Sequence, residues 1–270
     1  MIDNKVGWQV FSTGFTYDFS IIKKCVDAWT PYYDEMFCWV NNTVKKEPWF
    51  YDFISEKCTA YLDTVISRPK LAHIKEVPLQ LGYNLLKNVG RGMKEPEYVT
   101  AFDVDEEVPA HPDFFSYFQE WLKSDSTIMW FNFAYFWGDF NTIRVDKFST
   151  QAPHAKAFKV PIDAEFTWVP YASRGRPLNF KSVNAWKCPY PLLHYNHMLE
   201  SDRQRRLTFR QRGLQKVEDS KRPSPWQVTP PIIYTCDYDV TMTTNDIGCM
   251  QKQIRNGVTP ENCKKRLNET

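Results

Sequence analysis

The residues best suited to chemistry are the run Phe102-Asp103-Val104-Asp105-Glu106-Glu107. Four carboxylates within five positions repel one another unless they are solvated or meet a cation. The run follows directly on Tyr98–Phe102, an apolar stretch that reads as a buried strand. If strand geometry continues, its alternation points Asp103 and Asp105 to the same side. Two convergent carboxylates form a hard-oxygen site for Mg2+ or Mn2+, an ion that fills its other positions with water and phosphate oxygens. The plainer alternative is an acidic turn that only ends a strand. Cys188 with His194-Tyr195-Asn196-His197 invites a zinc reading, but the spacing matches no common zinc module. A hydrogen-bonded core histidine is the competing reading of His194. Arg203, Arg205, Arg206, Arg210, Arg212 and Lys216 crowd one predicted helix, with Glu200 and Asp202 among them. They form either a solvated, salt-bridged face or a cationic wall for an anionic ligand. Trp137, Trp168, Tyr171 and Trp186 offer ring faces for a sugar or base, or simply fill a core.

These residues need elements to position them. Val6–Phe11 predicts a strand that ends at Ser12-Thr13-Gly14. Phe19, Ile22, Cys25, Val26 and Trp29 recur at helical spacing, with Asp18 as a cap. Met36–Val40 is a continuous apolar run, as in a strand covered on both faces, and it stops at Asn41-Asn42-Thr43. A helix over about 49–66, a weak strand over 71–77 and a helix from Pro78 to Gly90 follow. After the acidic run, Phe114, Phe115, Phe118, Trp121 and Leu122 mark an amphipathic helix. The alternation predicts an α/β fold with a mostly parallel central sheet flanked by helices. In such sheets ligands sit beyond the carboxyl ends of the strands, and Ser12–Gly14, Asn41–Thr43 and Asp103–Glu107 all fall at such ends. The second half is less regular. Strands are expected over 127–137, 142–146, 155–160 and 232–236, a basic helix over 198–216 and a short helix near 261–267. Prolines at 223, 225, 230 and 231 suggest a linker, hence a main domain over 1–220 and an irregular appendage over 221–270 packed on it.

The 270 residues are 43% hydrophobic and 24% charged, which excludes wholesale disorder. Lys and Arg number 34 against 32 Asp and Glu, so no global polyanion-binding signature exists. No stretch approaches the ~20 apolar residues needed to span a bilayer. Met1-Ile2-Asp3-Asn4-Lys5 lacks the basic-then-apolar pattern of a signal peptide. The seven cysteines are odd in number and form no CxxC pair, which predicts reduced thiols and a cytoplasmic protein.

Over roughly residues 6–215 the chain resembles the inverting family 2 glycosyltransferases, which have the nucleotide-sugar-binding GT-A fold. The resemblance is carried by an ordered set of pieces. Trp29-Thr30-Pro31-Tyr32-Tyr33-Asp34-Glu35-Met36 ends the first helix, Asn41-Asn42-Thr43 follows the second strand, and Leu81-Gly82-Tyr83-Asn84 lies before the acidic strand. Asp103-Val104-Asp105-Glu106 is similar to the DxD(E) signature, and Leu193-His194-Tyr195 precedes a charged helix. The resemblance implies a metal-dependent transferase that uses Mn2+ or Mg2+ and a nucleoside-diphosphate sugar, most simply a UDP-sugar. Ser12, Thr13, Gly14, Asn41 and Asn42 would border the nucleobase and ribose, with Asn84, Val104 and Arg203 also at the donor. Asp103 would lie near the ribose or a metal-bound water, Asp105 would ligate the ion, and His194 would be a third contact to metal or pyrophosphate. The sequence departs from the family in two places. Asn41 and Asn42 stand where many relatives have an Asp that grips the base or ribose. The usual Glu-Asp pair that would deprotonate the acceptor is also missing, leaving Asp139, Asp163 and Glu165 as general-base candidates.

The acceptor hydroxyl could belong to a glycan, a protein or a lipid. A hydroxylated base in DNA is a further alternative. Two readings from other classes compete: a divalent-metal phosphohydrolase or nuclease using the same carboxylates, and a nucleic-acid-binding module built from the basic helix and the aromatics.

Overall fold

The structure, a computed structural model, describes residues 7–12, 19–41, 47–64, 96–145, 153–159, 166–167, 176–177, 185–198 and 234–257. They group into two compact units, one built from residues 1–132 and 152–192, the other from 133–151 and 193–270. The expected boundary at 220 lies outside the described residues.

In the first unit, β1 (Gly7–Ser12) is followed by α1 (Phe19–Trp29), β2 (Glu35–Asn41), α2 (Pro48–Lys57), β3 (Ala60–Thr64) and β4 (Tyr98–Thr100). Next come the two-residue β5 (Glu106–Glu107) and α3 (Phe114–Lys123). β6 (Ile128–Phe131), β9 (His154–Lys159) and β12 (Ala185–Lys187) complete the main sheet, and β10 (Phe166–Thr167) pairs with β11 (Arg176–Pro177). The seven-stranded sheet runs in the order β12-β6-β9-β4-β1-β2-β3. β3, β2, β1 and β4 are mutually parallel, β9 runs antiparallel between β4 and β6, and β12 is parallel to β6. This is the α/β class with a central, mostly parallel sheet that the sequence predicts. Gly7–Phe11 and Tyr98–Thr100 are buried throughout, as central strands covered on both faces must be.

α1 buries Ile21, Ile22, Cys25, Val26 and Trp29, one continuous face at helical spacing. α3 buries Phe114, Phe118, Trp121 and Leu122 in the same way, and Phe118 meets the ring of Tyr98 at 5.4 Å. The helix expected over 49–66 stops early. Cys58 is extended (φ −109°, ψ 139°), and the Thr59 N–H donates to Met36 O at 2.9 Å, which turns Ala60–Thr64 into β3 beside β2. The strand expected over 127–137 is two strands, because Asn132 separates β6 from β7 (Phe133–Trp137). The expected strand over 71–77 and the helices from Pro78, over 198–216 and near 261–267 lie almost wholly outside the described residues; of them only Met198 is described.

The second unit contains β7, β8 (Thr142–Arg144), β13 (Leu192–His197), whose first residue belongs to the other unit, and β14 (Thr235–Asp237), in the order β14-β8-β7-β13. β8 runs antiparallel to both β7 and β14. α4 (Thr244–Arg255) follows, opened by a capping box in which the Thr243 hydroxyl accepts from the Asp246 N–H and the Asp246 carboxylate accepts from the Thr243 N–H. No helix among the described residues is long and apolar enough to cross a membrane.

Candidate functional site

The sheet order reverses beside β1. The chain passes from β1 outward to β2 and β3, then returns to the opposite flank of β1 as β4. Adjacent parallel strands whose connections leave in opposite directions part at their carboxyl ends, and that opening is where α/β sheets take ligands. The β1–β4 ladder has three registered pairs, Gly7↔Tyr98, Trp8↔Val99 and Gln9↔Thr100. Beyond it, side chains take over. The Thr100 hydroxyl donates to the Gln9 carboxamide oxygen, and Gln9 Nε2 donates to Phe102 O at 3.2 Å, with Gln9 and Thr100 fully buried.

The acidic run emerges at this opening, but Asp103–Asp105 do not continue β4 as a strand, and extended structure resumes only at β5. β4 ends at Thr100, and residues 103–106 form a tight turn in which the Glu106 N–H donates to Asp103 O at 2.9 Å. The Asp103 N–H in turn donates to Glu106 Oε2 at 2.9 Å. The alternation expected to align Asp103 with Asp105 therefore does not apply. Asp103 is half-buried, Val104 is buried and Asp105 is 8% exposed. The turn rests on an aromatic bed. Trp29 at the end of α1 donates its indole N–H to Glu106 O at 3.0 Å, and its ring lies 4.9 Å from Phe11 and 6.3 Å from Phe102, which meets Phe131 at 5.8 Å.

Two lysines answer the charge. Lys156 on β9 is 6% exposed and donates to Glu106 Oε2 at 2.6 Å; Glu106 itself is 1% exposed. The same ammonium stands 3.7 Å from Asp103 Oδ2. β9 delivers it there because Thr100 is registered with Ala157, and the Ala101 N–H bonds Lys156 O at 2.9 Å. On α1, Lys24 reaches Glu107 at 2.9 Å. Below, the buried Cys25 thiol has its pKa raised well above the ordinary value, first by burial and then by the charges of Glu107 and Asp105. Lys156 was not singled out by the sequence. The signal it carries is a charged residue flanked by Ala155 and Ala157, on the same strand face as Phe158.

The remaining sequence candidates are dispersed. Ser12 closes β1 and Asn41 closes β2, both at the carboxyl edge of the sheet. Thr13, Gly14, Asn42, Asn84, Asp163, Glu165 and Arg203 lie outside the described residues. His194 lies on β13 with its ring 5.0 Å from Phe133 and 5.1 Å from Tyr135, an aromatic packing position. Among the described residues no group of three or more His, Cys, Asp and Glu could hold a metal ion, so Asp103, Asp105 and His194 do not form a ready-made ligand set. Asp139 sits in the β7–β8 hairpin, exposed, next to Gly138 at φ 84°. Its carboxylate accepts from the Asn141 N–H at 2.8 Å and the Thr142 hydroxyl at 3.1 Å, and those bonds, the Asn141 one foremost, lower its pKa. It serves as a turn cap in this hairpin. Trp137 lies against Arg144, 5.0 Å from its ring, and Trp186 against Tyr117 at 5.6 Å. Trp168 and Tyr171 are outside the described residues.

No protein-family model matches the chain, and no curated protein matches it. Among solved structures it is similar to a 4-diphosphocytidyl-2C-methyl-D-erythritol synthase from Anaerococcus prevotii, at 10% identity over 58% of this chain and 71% of that one, with a TM-score of 0.31. It is also similar to residues 1–349 of S. aureus TarS, at 9% identity over 57% of this chain and 47% of that one, with a TM-score of 0.35. A longer TarS structure matches at 11% identity over 57% of this chain and 28% of that one, with a TM-score of 0.32. Likenesses of this strength assign no activity to the chain.

Proposed function

We propose that this protein transfers a sugar from a nucleoside-diphosphate donor, a UDP-sugar in the simplest case, to an acceptor hydroxyl with inversion, assisted by Mn2+ or Mg2+. The observation that carries the reading is the placement of the acidic turn Asp103–Glu107 where β1 and β4 part, the position at which an α/β sheet takes a nucleotide. Carboxylate oxygens are the donor type a hard divalent ion takes, but among the described residues they form no ready-made ligand set, so the donor's phosphate oxygens would have to supply most of the shell. By the resemblance, Asp103 and Asp105 are the residues that would hold the ion, with phosphate oxygens and water completing the shell. Bound there, the ion would neutralise the charge that builds on the departing nucleoside diphosphate. The chain's own contribution is positional. Gln9 and Trp29 fix the backbone at Phe102 and Glu106. Ser12 and Asn41 close the strands that face the nucleoside side of the crevice. Proton removal from the acceptor falls to Asp139, Asp163 or Glu165.

The test is thermal denaturation with a panel of nucleoside diphosphates, with and without Mn2+, followed by donor hydrolysis with the matching nucleotide sugars. A nucleotide should raise the melting temperature only with the metal present, and Asp105→Ala should remove that response. A variant that responds like wild type would refute the metal assignment. Release of phosphate from simple esters, with no response to any nucleotide sugar, would instead favour a phosphohydrolase.

A further inference from the structure

The flank of the sheet beyond β9 carries an aromatic cluster that the donor reading leaves unused. β12 is parallel to β6, and β6 and β4 both run antiparallel to the intervening β9, so β12 and β4 end at the same edge of the sheet. Three strand spacings separate them, about 14 Å. The acidic turn follows β4, Tyr190 follows β12, and His111 comes four positions after Glu107 on the path from the turn to α3. The His111 and Tyr190 rings stack at 4.1 Å with 21° between their planes. Tyr117 of α3 meets Tyr190 edge-on at 5.5 Å and Trp186 at 5.6 Å. Its hydroxyl donates to Lys187 O at 2.7 Å, which ties α3 to the end of β12 and holds the cluster in one arrangement. Tyr190 is half-buried, and its second face meets no further ring among the described residues.

The border of this ring is polar. The Asp113 N–H donates to His111 Nδ1 at 3.1 Å, so the neutral imidazole carries its proton on Nε2, which donates to nothing among the described residues. The Asp113 side chain is 73% exposed. Burial raises the Tyr190 phenol pKa first, and the nearby charges of Asp113 and Glu120 raise it further. A flat ring face bordered by carboxylates and an N–H suits a molecule with an apolar face and a rim of hydroxyls, as a pyranose has. The same carboxylates repel phosphate, which disfavours a DNA strand or an anionic lipid. β1 and β2, at the nucleoside side, lie on the other flank of β4. Resting on the sugar-transfer reading above, we propose that Tyr190 and His111 form a shelf on the acceptor side of the crevice, and that the acceptor is a neutral saccharide that stacks on Tyr190. The rings are already braced, so little ordering is lost when a sugar settles on them.

Titrations followed by saturation-transfer NMR, with the protein's aromatic protons irradiated, read this contact. The probes are neutral hexasaccharides of glucose, galactose, mannose and N-acetylglucosamine, with a single-stranded oligonucleotide and phosphatidylglycerol vesicles as probes of the other classes. The proteins are wild type, Tyr190→Phe, Tyr190→Ala and Tyr190→Leu, the last keeping apolar bulk without a flat ring should the alanine variant unfold. At least one hexasaccharide should bind wild type and Tyr190→Phe, and Tyr190→Leu should weaken that binding about tenfold. Thermal denaturation of wild type with nucleoside diphosphates reads the donor side separately. If nucleotides bind but no hexasaccharide does, or if Tyr190→Leu binds one as well as wild type, the shelf falls while the transfer reading stands. If a hexasaccharide binds through Tyr190 and no nucleotide or nucleotide sugar has any effect, the transfer reading falls and the shelf stands as a saccharide-binding site. Binding of the oligonucleotide or the vesicles alone, lost in Tyr190→Leu, overturns the saccharide assignment. If neither saccharides nor nucleotides bind, both readings are overturned.

Discussion

Glu106→Gln should destabilise the unit that holds the acidic turn by an amount the local geometry fixes. The carboxylate is 1% exposed and accepts from Lys156 Nζ at 2.6 Å and from the Asp103 N–H at 2.9 Å. The amide can keep the backbone bond but removes the negative charge, leaving the ammonium buried. Breaking one half of a buried ion pair costs about 3–5 kcal/mol. Asp103 Oδ2, 3.7 Å from the same ammonium, retains part of the attraction. The net loss is then about 2–4 kcal/mol. In a protein of this size that corresponds to a fall in Tm of about 5–15 °C. Thermal denaturation followed by circular dichroism reads this directly. Adding Lys156→Met should bring stability back to within about 1 kcal/mol of wild type, because an uncharged pair of similar volume no longer has a desolvated charge to hold. The reasoning is refuted if Glu106→Gln melts with wild type, or if the double variant is no more stable than the single.

Three further outcomes follow from other parts of the fold. A Cβ at Gly7 would stand 2.5 Å from Tyr98 Cε2 and closer still to Cζ and Oη, so Gly7→Ala must displace a buried ring whose hydroxyl donates to Tyr32 O. A loss of about 2–4 kcal/mol is expected in chemical denaturation, with partial recovery in Gly7→Ala/Tyr98→Leu. Burial pushes the Cys58 and Cys188 thiols up to about 12, whereas Cys249 is exposed, so alkylation near neutral pH should label Cys249 and spare the other two until the protein unfolds. Asp139 should titrate below the ordinary aspartate range by carboxyl NMR. Because its folded pKa is depressed, the hairpin stabilisation it gives should be present above the unfolded value and lost as pH falls through the folded one, and an ordinary titration would contradict its role as a cap.

The parts of the fold that were legible in the sequence are those where one local signal dominates. The helical spacing of Phe19, Ile22, Cys25, Val26 and Trp29 and of Phe114, Phe118 and Trp121 is matched by α1 and α3, and the apolar run Met36–Val40 lies within β2. Where two signals compete, the reading failed. Ala60–Thr64 has no break in composition from α2, and what makes it a strand is the tertiary bond from Thr59 to Met36. Asn132 is one polar residue in an apolar run, too little to show that β6 and β7 belong to different compact units. α4 carried a readable signal in Thr243 followed three residues later by Asp246, but its apolar face is sparse. At the site, the carboxylates were visible and their surroundings were not. Strand alternation does not extend past Thr100, because the Glu106 side chain accepts the N–H of Asp103 and closes a turn. The partnership of Glu106 with Lys156 spans fifty positions and depends on the register of β9 against β4.

The seam between β1 and β4 governs how wide the mouth of the crevice stands. After three rungs of backbone pairing, the Gln9 carboxamide reaches from β1 to the other strand, accepting from the Thr100 hydroxyl and donating to the Phe102 carbonyl. Gln9 thus works as a fixed-length strut. An Asn in its place is one methylene too short to keep both bonds, so the tie to the Phe102 carbonyl would be lost and the acidic turn would lose its anchor to β1 with none of its own residues changed.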